Sequence, residues 1–488
     1  MPALYHLSRE DLLPDKFKVL GLGRRISKTE KYVIEMKSRV EIYCSHAMEE
    51  RFWKPLKDRM ISIESSDINK HSTFEDIQRE IMAIEDDWGR KANKVFFFAT
   101  SPSHFKVIVQ KLIENGLNKS DSKCWTRLVI EKPFGLNLAD ADRLNNLLLQ
   151  GFSEEQVYRI DHFLGKESVQ NILIFRMSNL MFQPLWNNEF VDHVQITISE
   201  TIGVEGRVDF FQQTGAVLDM LQSHILQVLA FVAMEPPASF EPEDIRDQKV
   251  LLLRSIRRYP SEDIGEYVVR GQYDHGVVKS VHVPGYRDED PRTSDSLIET
   301  YAAMKIFIDN PRWSGVPFYL RTGKRMPERR SFIYIQLKRP LTQDIPMMLQ
   351  RGQQPMKNSI SIDIQPKGGV KLQLGWRPSG LLENVKQADL SIEGQMAVKE
   401  PKAYERLLVD VIRGDRTLFI RHDEVREMFR AVEPFLQHFR KEDEKIRNGE
   451  IQDYFPNYYA GTQGPPDADA FINKDGREWV WVEPIPNY

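Results

Sequence analysis

Cysteine is nearly missing from this chain: Cys44 and Cys124 are the only two among 488 residues. A disulfide framework is thereby excluded, and a reducing compartment fits the composition. Excess charge is missing as well. The formal net charge of −4 offers no basic field to a nucleic-acid backbone, so no nucleic-acid partner is expected. The longest apolar stretch, residues 228–234 with Ile225 just ahead, falls far short of the roughly 20 residues a bilayer span needs, so no membrane partner is expected. Arg9, Glu10 and Asp11 interrupt any apolar N-terminal run, which speaks against a secretory signal and for a cytoplasmic protein. Internal repeats, low-complexity linkers and heptad runs are absent too. What remains is an ordinary globular composition, long enough for two or three domains and sized for an enzyme.

The first part alternates strand and helix. Short apolar runs at 18–21, 60–63, 94–99 and 127–131 read as strands, the third of them buried. Helical patterns over 31–50, 74–85, 103–115 and 139–149 lie between and after them. This βαβα rhythm predicts a doubly wound parallel sheet with ligands beyond the carboxyl ends of its strands. From about residue 165 the pattern changes. Ile360, Ile362 and Ile364 share one face with Ser361 and Asp363 opposite, and 332–337 and 370–376 alternate likewise, so a half-exposed antiparallel sheet is expected. Helices over 215–234 and 424–440 are expected to cover its other face. The tail is irregular, tied down by Trp479 and Trp481.

The densest chemistry lies in Tyr158-Arg159-Ile160-Asp161-His162-Phe163-Leu164-Gly165-Lys166-Glu167. A strand ends here and a helical pattern begins at Glu167. A lysine at a helix N-terminus is electrostatically disfavoured unless an anion faces it, which points to a phosphate site. Alone, the run fits a charged surface turn equally well. His224 sits in the apolar 215–234 helix, and Asp219 precedes it by five residues, about 140° round an α-helical axis. A satisfied core histidine is the plain alternative to a general base there. Glu200 follows the strand 191–199 ahead of Glu205 and Arg207, where a solvated loop is as good an account as a ligand contact. Arg321-Thr322-Gly323-Lys324-Arg325 follows another strand and could bind a phosphate, although such a cluster is more often a plain basic loop. Glu131-Lys132-Pro133-Phe134-Gly135 puts a lysine at the ligand edge of the sheet. Gly21-Leu22-Gly23-Arg24-Arg25 is weak as a glycine fingerprint, yet Arg24 stands where a 2′-phosphate is usually held.

Together these segments, with Gly271-Gln272-Tyr273, the stretch 315–324 and Tyr404-Glu405-Arg406-Leu407-Leu408, resemble the glucose-6-phosphate dehydrogenases over essentially the whole chain. The resemblance implies an α/β Rossmann-like dinucleotide-binding domain over 1–164, with its first strand missing. An α+β domain with a large, mainly antiparallel sheet follows over 165–488, for substrate binding and oligomerisation. It implies oxidation of glucose 6-phosphate by NADP, the oxidative entry to the pentose phosphate pathway, in a homo-oligomer, dimer or tetramer, with no metal. His224 would be the base and Asp161 its partner. His162 and Lys166 would hold the phosphate, and Glu200, Asp219, Lys324 and Arg329 the rest of the sugar. Arg24, Asp67, Ile68 and Lys132 would face NADP.

Departures from the family pattern are visible. Phe163 stands for a tyrosine, Ser223 for an asparagine, Leu218 for an arginine, and Val208 and Asp209 for glycines. The chain also starts at Met1-Pro2-Ala3-Leu4-Tyr5, past the family's opening strand and Gly-x-x-Gly-Asp-Leu loop. The expectation is therefore a parallel sheet with an open slot. Two readings follow: a dehydrogenase given from a late start, or a sugar-phosphate-binding paralogue unable to hold NADP.

Overall fold

The computed structural model describes residues 1–482 apart from 24–28, 45–46, 64–66, 261, 340–356, 377–385 and 394–402. Helices α1 (Pro2–Arg9), α2 (Thr29–Tyr43), α3 (Glu50–Lys57), α4 (His71–Trp88), α5 (Phe105–Glu114) and α6 (Leu138–Leu149) accompany five parallel strands. The helix expected over 31–50 ends at Tyr43, and the next begins at Glu50. The strands are β1 (Val19–Gly21), β2 (Met60–Ser62), β3 (Lys94–Phe98), β4 (Thr126–Glu131) and β5 (Val157–Ile160). Among the described residues they form two separate sheets, ordered β2-β1 and β3-β4-β5. β3, expected to be buried, exposes Val95 and Phe97 by 38% and 37%. It ends its sheet, pairing only with β4, and these two side chains alternate onto an uncovered face. A two-residue strand from far down the chain, Phe419–Ile420, adds antiparallel to β5.

After α7 (Glu167–Ser178) the chain enters one eight-stranded sheet: β6 (Val191–Ser199), β7 (Val268–Gly271), β8 (Tyr301–Phe307), β9 (Pro317–Gly323), β10 (Arg330–Leu337), β11 (Ser359–Gln365), β12 (Gly369–Trp376) and β13 (Lys386–Glu393). The order is β13-β12-β11-β10-β6-β9-β8-β7, antiparallel throughout except for the parallel β6/β9 pair. Ile360, Ile362 and Ile364 are buried as the alternation requires, but Ser361 and Asp363 are buried as well. The C-terminal tail covers that second face: Val480 N–H donates to Gln195, and the Phe332 ring meets Trp481 edge to face. Asp363 accepts from the buried Arg330.

The other face of the sheet carries a helical run in three pieces, α8 (Val208–Ala216), a π-helix (Val217–Ile225) and α9 (Leu226–Ala233). Gly215 separates the first two at φ 57°, ψ −174°. A Cβ there would lie 2.2 Å from Glu299 Oε1, so only glycine fits this break. The run Glu205–Ala233 is long and apolar enough to cross a membrane, contrary to the reading of its sequence, but its apolar window is wholly buried within the protein. The π segment lies on β6, β8 and β9. Beyond α10 (Pro242–Arg254) and α11 (Ala403–Arg413), α12 (His422–Arg447) finds its chief contacts on α10, α6 and the π segment. The second helix expected on the sheet thus forms a further layer.

Candidate active site

β4 and β5 run in parallel with Glu131 level with Ile160. Lys132 and Asp161, the next residue of each strand, therefore leave the sheet side by side at its carboxyl edge. Opposite them the π-helix presents His224. Asp161 Oδ1 stands 2.5 Å from His224 Nδ1, off the ring N–H axis, and accepts the Phe163 N–H at 2.9 Å. Both side chains are 1% exposed.

The π geometry also corrects the expected 140° offset between Asp219 and His224. A ladder closed from i to i+5 stacks residues five apart, so the two share a face. Lys132 Nζ reaches both: it donates to Asp219 O at 2.7 Å and Asp219 Oδ1 at 2.8 Å, and meets His224 Nε2 at 2.9 Å. With the ring proton on Nδ1, facing Asp161, Lys132 is the donor to Nε2. Ser223 Oγ donates to the same Asp219 carbonyl at 2.6 Å.

Burial sets the protonation states, and neighbouring charge modifies them. It lowers His224, against the raising influence of Asp161, so the imidazole is neutral near pH 7. Burial pushes Asp161 up, but His224, His162 and Lys132 together bring its carboxyl well below the usual range. Asp219 is likewise raised by burial and brought down to about 2 by Lys132 and Lys324. His162, lowered by burial and by His224 to about 3, is a neutral hydrogen-bonding group.

The decapeptide of the sequence folds round this imidazole. Phe163 stacks on His224 with centroids 4.4 Å apart and planes at 25°, and His162 meets it edge-on at 4.6 Å. Lys166, at the start of α7, places Nζ 3.3 Å above the Phe163 ring. Asp161, His162 and His224 hold three metal-type ligand atoms within 4.8 Å, but both imidazole nitrogens of His224 already face Asp161 and Lys132.

Sheet register assembles the other side. Gly323 pairs with Ser199 on the parallel β6/β9 ladder, so Lys324 and Glu200 follow in step and bond at 2.7 Å. Arg329 is exposed beside that end; its neighbours Glu328 and Arg330 both bond to Ser199 Oγ. Between the Lys132–Gly135 turn and the π segment runs a cleft lined by Pro133, Phe134, Leu218, Gln222 and Met428. Lys132, Asp219, Thr214, Gln222 and Ser223 give this cleft its polar groups, and Pro133, Phe134, Leu218 and Met428 its apolar walls. Asp67 precedes α4 after the end of β2; its carboxylate accepts the Asn69 N–H and side-chain amide, which holds it below the usual range, and Ile68 lies in the same turn. Arg24 lies outside the described residues.

Sequence reasoning missed the stacking of Phe163 and the part of Glu299, which abuts the π-helix. An isolated acid just ahead of a buried strand was the only available signal for the latter.

Comparison with known proteins gives one consistent result. The family profile "Glucose-6-phosphate dehydrogenase, NAD binding domain" matches residues 1–171, and "Glucose-6-phosphate dehydrogenase, C-terminal domain" matches residues 173–480. A glucose-6-phosphate 1-dehydrogenase of Chlamydia muridarum is 38% identical, covering 98% of this chain and 93% of its own length. That of Bacillus subtilis is 36% identical, covering 98% and 94%. A solved glucose-6-phosphate dehydrogenase in complex with its substrate glucose-6-phosphate superposes with a TM-score of 0.85 at 28% identity, covering 98% of this chain and 95% of that one. The Mycobacterium avium enzyme gives 0.79 at 28% identity, covering 100% and 96%.

Proposed function

The chain belongs to the glucose-6-phosphate dehydrogenase family, and from that premise we propose that it oxidises glucose 6-phosphate to 6-phosphogluconolactone with NADP as the hydride acceptor. The observation that carries this reading is the Asp161–His224–Lys132 constellation at the carboxyl edge of the parallel strands. When bound, NADP supplies the ring that receives hydride from the anomeric carbon. His224 Nε2 takes the proton of the anomeric hydroxyl as the C–H electron pair leaves and the C=O bond forms. Because Lys132 occupies Nε2 in this structure, the sugar hydroxyl must replace it there; Lys132 keeps Asp219 as its partner. Asp161 orients the imidazole and stabilises its protonated form. His162 and Lys166, at the start of α7, hold the 6-phosphate, while Glu200, Asp219 and Lys324 bind ring hydroxyls, with Arg329 at the rim. Lys132 with Pro133, Phe134 and Gln222 would hold the nicotinamide; Arg24, Asp67 and Ile68 would border the adenosine.

His224→Asn is the direct test. Turnover of glucose 6-phosphate, followed by the absorbance of reduced nicotinamide, should fall by about 10²–10⁴ with little change in either KM. Near-normal turnover would remove His224 from the mechanism. A second reading is a chain that binds the sugar phosphate and holds NADP poorly; among the described residues the parallel strands form two sheets. Calorimetric titration with each ligand separates the two: binding of glucose 6-phosphate alone supports the second.

We further propose a homo-oligomer built on the outer strands of the large sheet, in a cytoplasmic protein. On β12 and β13, Leu374, Trp376, Leu390 and Ile392 are all exposed, and the ladder pairs Leu372 with Leu390 and Val370 with Ile392, which puts one apolar face outward.

A further inference from the structure

We propose that Glu299 is a positioning residue that fixes the base-bearing π-helix against the lysine of the sugar site; this rests on the site reading above. At the Gly215 break the ladder of α8 runs out: the Val217 N–H keeps only a short bond back to Thr214 O, so the start of the π-helix depends on acceptors from outside the helix. Glu299, 5% exposed, serves two of the residues at that start. Its backbone carbonyl accepts the Ala216 N–H at 3.0 Å, and its Oε1 accepts the Val217 N–H at 3.1 Å. Asp219 lies two residues farther on and His224 seven.

The following residue serves the opposite wall. Thr300 O accepts the Lys324 N–H at 3.0 Å, and Thr300 Oγ1 accepts the Tyr273 N–H at 3.0 Å. Tyr458 OH closes the loop by donating to Lys324 O at 2.8 Å. One dipeptide at the entry to β8 therefore sets both the screw position of the helix carrying Asp219 and His224 and the height of Lys324. Because residues on a helix move as a unit, a slip at Val217 is delivered to His224 with Asp161 and Lys132 left in place. Misplacement by about 1 Å costs on the order of 10² in rate.

The test compares Glu299→Gln, Glu299→Asp and Glu299→Ala in the full chain, reading kcat, both KM values and the thermal midpoint. Glutamine keeps the acceptor at full reach. Aspartate keeps the carboxyl group but withdraws it by one methylene. Alanine removes it. The expected result is a kcat for the alanine and aspartate variants lowered about tenfold to a hundredfold, with a change in thermal midpoint too small to account for the loss. The glutamine variant should recover to within about threefold of the parent. If the alanine variant does not fold, the glutamine–aspartate contrast carries the decision. Equal kcat in all variants, or losses that follow the thermal midpoint without the glutamine rescue, would overturn the proposal. His224→Asn is measured alongside. Full turnover in that variant would remove the base assignment, whereas a flat Glu299 series with an inactive His224→Asn would remove only the positioning role.

Discussion

At the scale of single residues, His224 is poised by opposing influences. Burial lowers its pKa and Asp161 raises it, with a net depression below the usual 6.5. The acid limb of kcat/KM, where the base becomes protonated, should therefore lie below pH 6.5. Asp161→Asn removes the raising influence and leaves the burial. The imidazole should then protonate at still lower pH, so the limb moves down while kcat falls by about 10²–10⁴. A pH–rate series on the parent and the variant checks both the sign and the size. A limb that moves up would mean that Asp161 does not face the base as an anion. The residues of this cluster were legible as types and as motif members. Their distances were not, because Lys132, Asp161 and His224 come from three separate segments.

At the scale of elements, the helical layers are joined by a fully buried ion pair. Lys249 of α10 lies 2.6 Å from Glu424 of α12, both 0% exposed, and Gln227 of α9 donates to the same carboxylate. Such a pair contributes little net stability, but losing one partner leaves a charge stranded in the core. Lys249→Met should lower the unfolding free energy by about 3–5 kcal/mol, read from urea midpoints, if Glu424 remains charged. Adding Glu424→Gln should recover most of this, since the amide still meets Gln227 without the charge. A single variant of parental stability would show that Glu424 finds another partner. The apolar periodicity announced the helical stretches over 215–234 and 424–440 but not α10. It could not announce the π-helix, whose extra residue per turn reflects the Gly215 break and the packing on β6, β8 and β9 rather than any local propensity.

At the scale of the whole molecule, the large sheet is closed on one face by helices and on part of the other by the tail. Trp479 Nε1 donates to Ala468, and the buried Arg321 guanidinium lies 4.4 Å from its ring. On β12 and β13 the helix-side face, which carries on from Ile360, Ile362 and Ile364, stays apolar and exposed. Trp376, 68% exposed, is the largest side chain there. If this face joins copies of the chain, Trp376→Glu should shift the sedimentation coefficient toward that of the monomer and leave the cores described above folded. An unchanged coefficient would place the oligomer contact elsewhere.

The sequence by itself determined the alternating strand–helix half, the switch to a period-two sheet, and the grouping of Asp161, His162 and Lys166 at a helix start, because these depend on neighbours in the chain. Only the tertiary structure decided which face of each element is covered. It buried Ser361 and Asp363 beneath a tail more than a hundred residues away, and exposed Val95 and Phe97 on a strand that reads as core. It also turned Asp219 onto the face of His224. Each of these depends on contacts between segments far apart in sequence, which local pattern does not record.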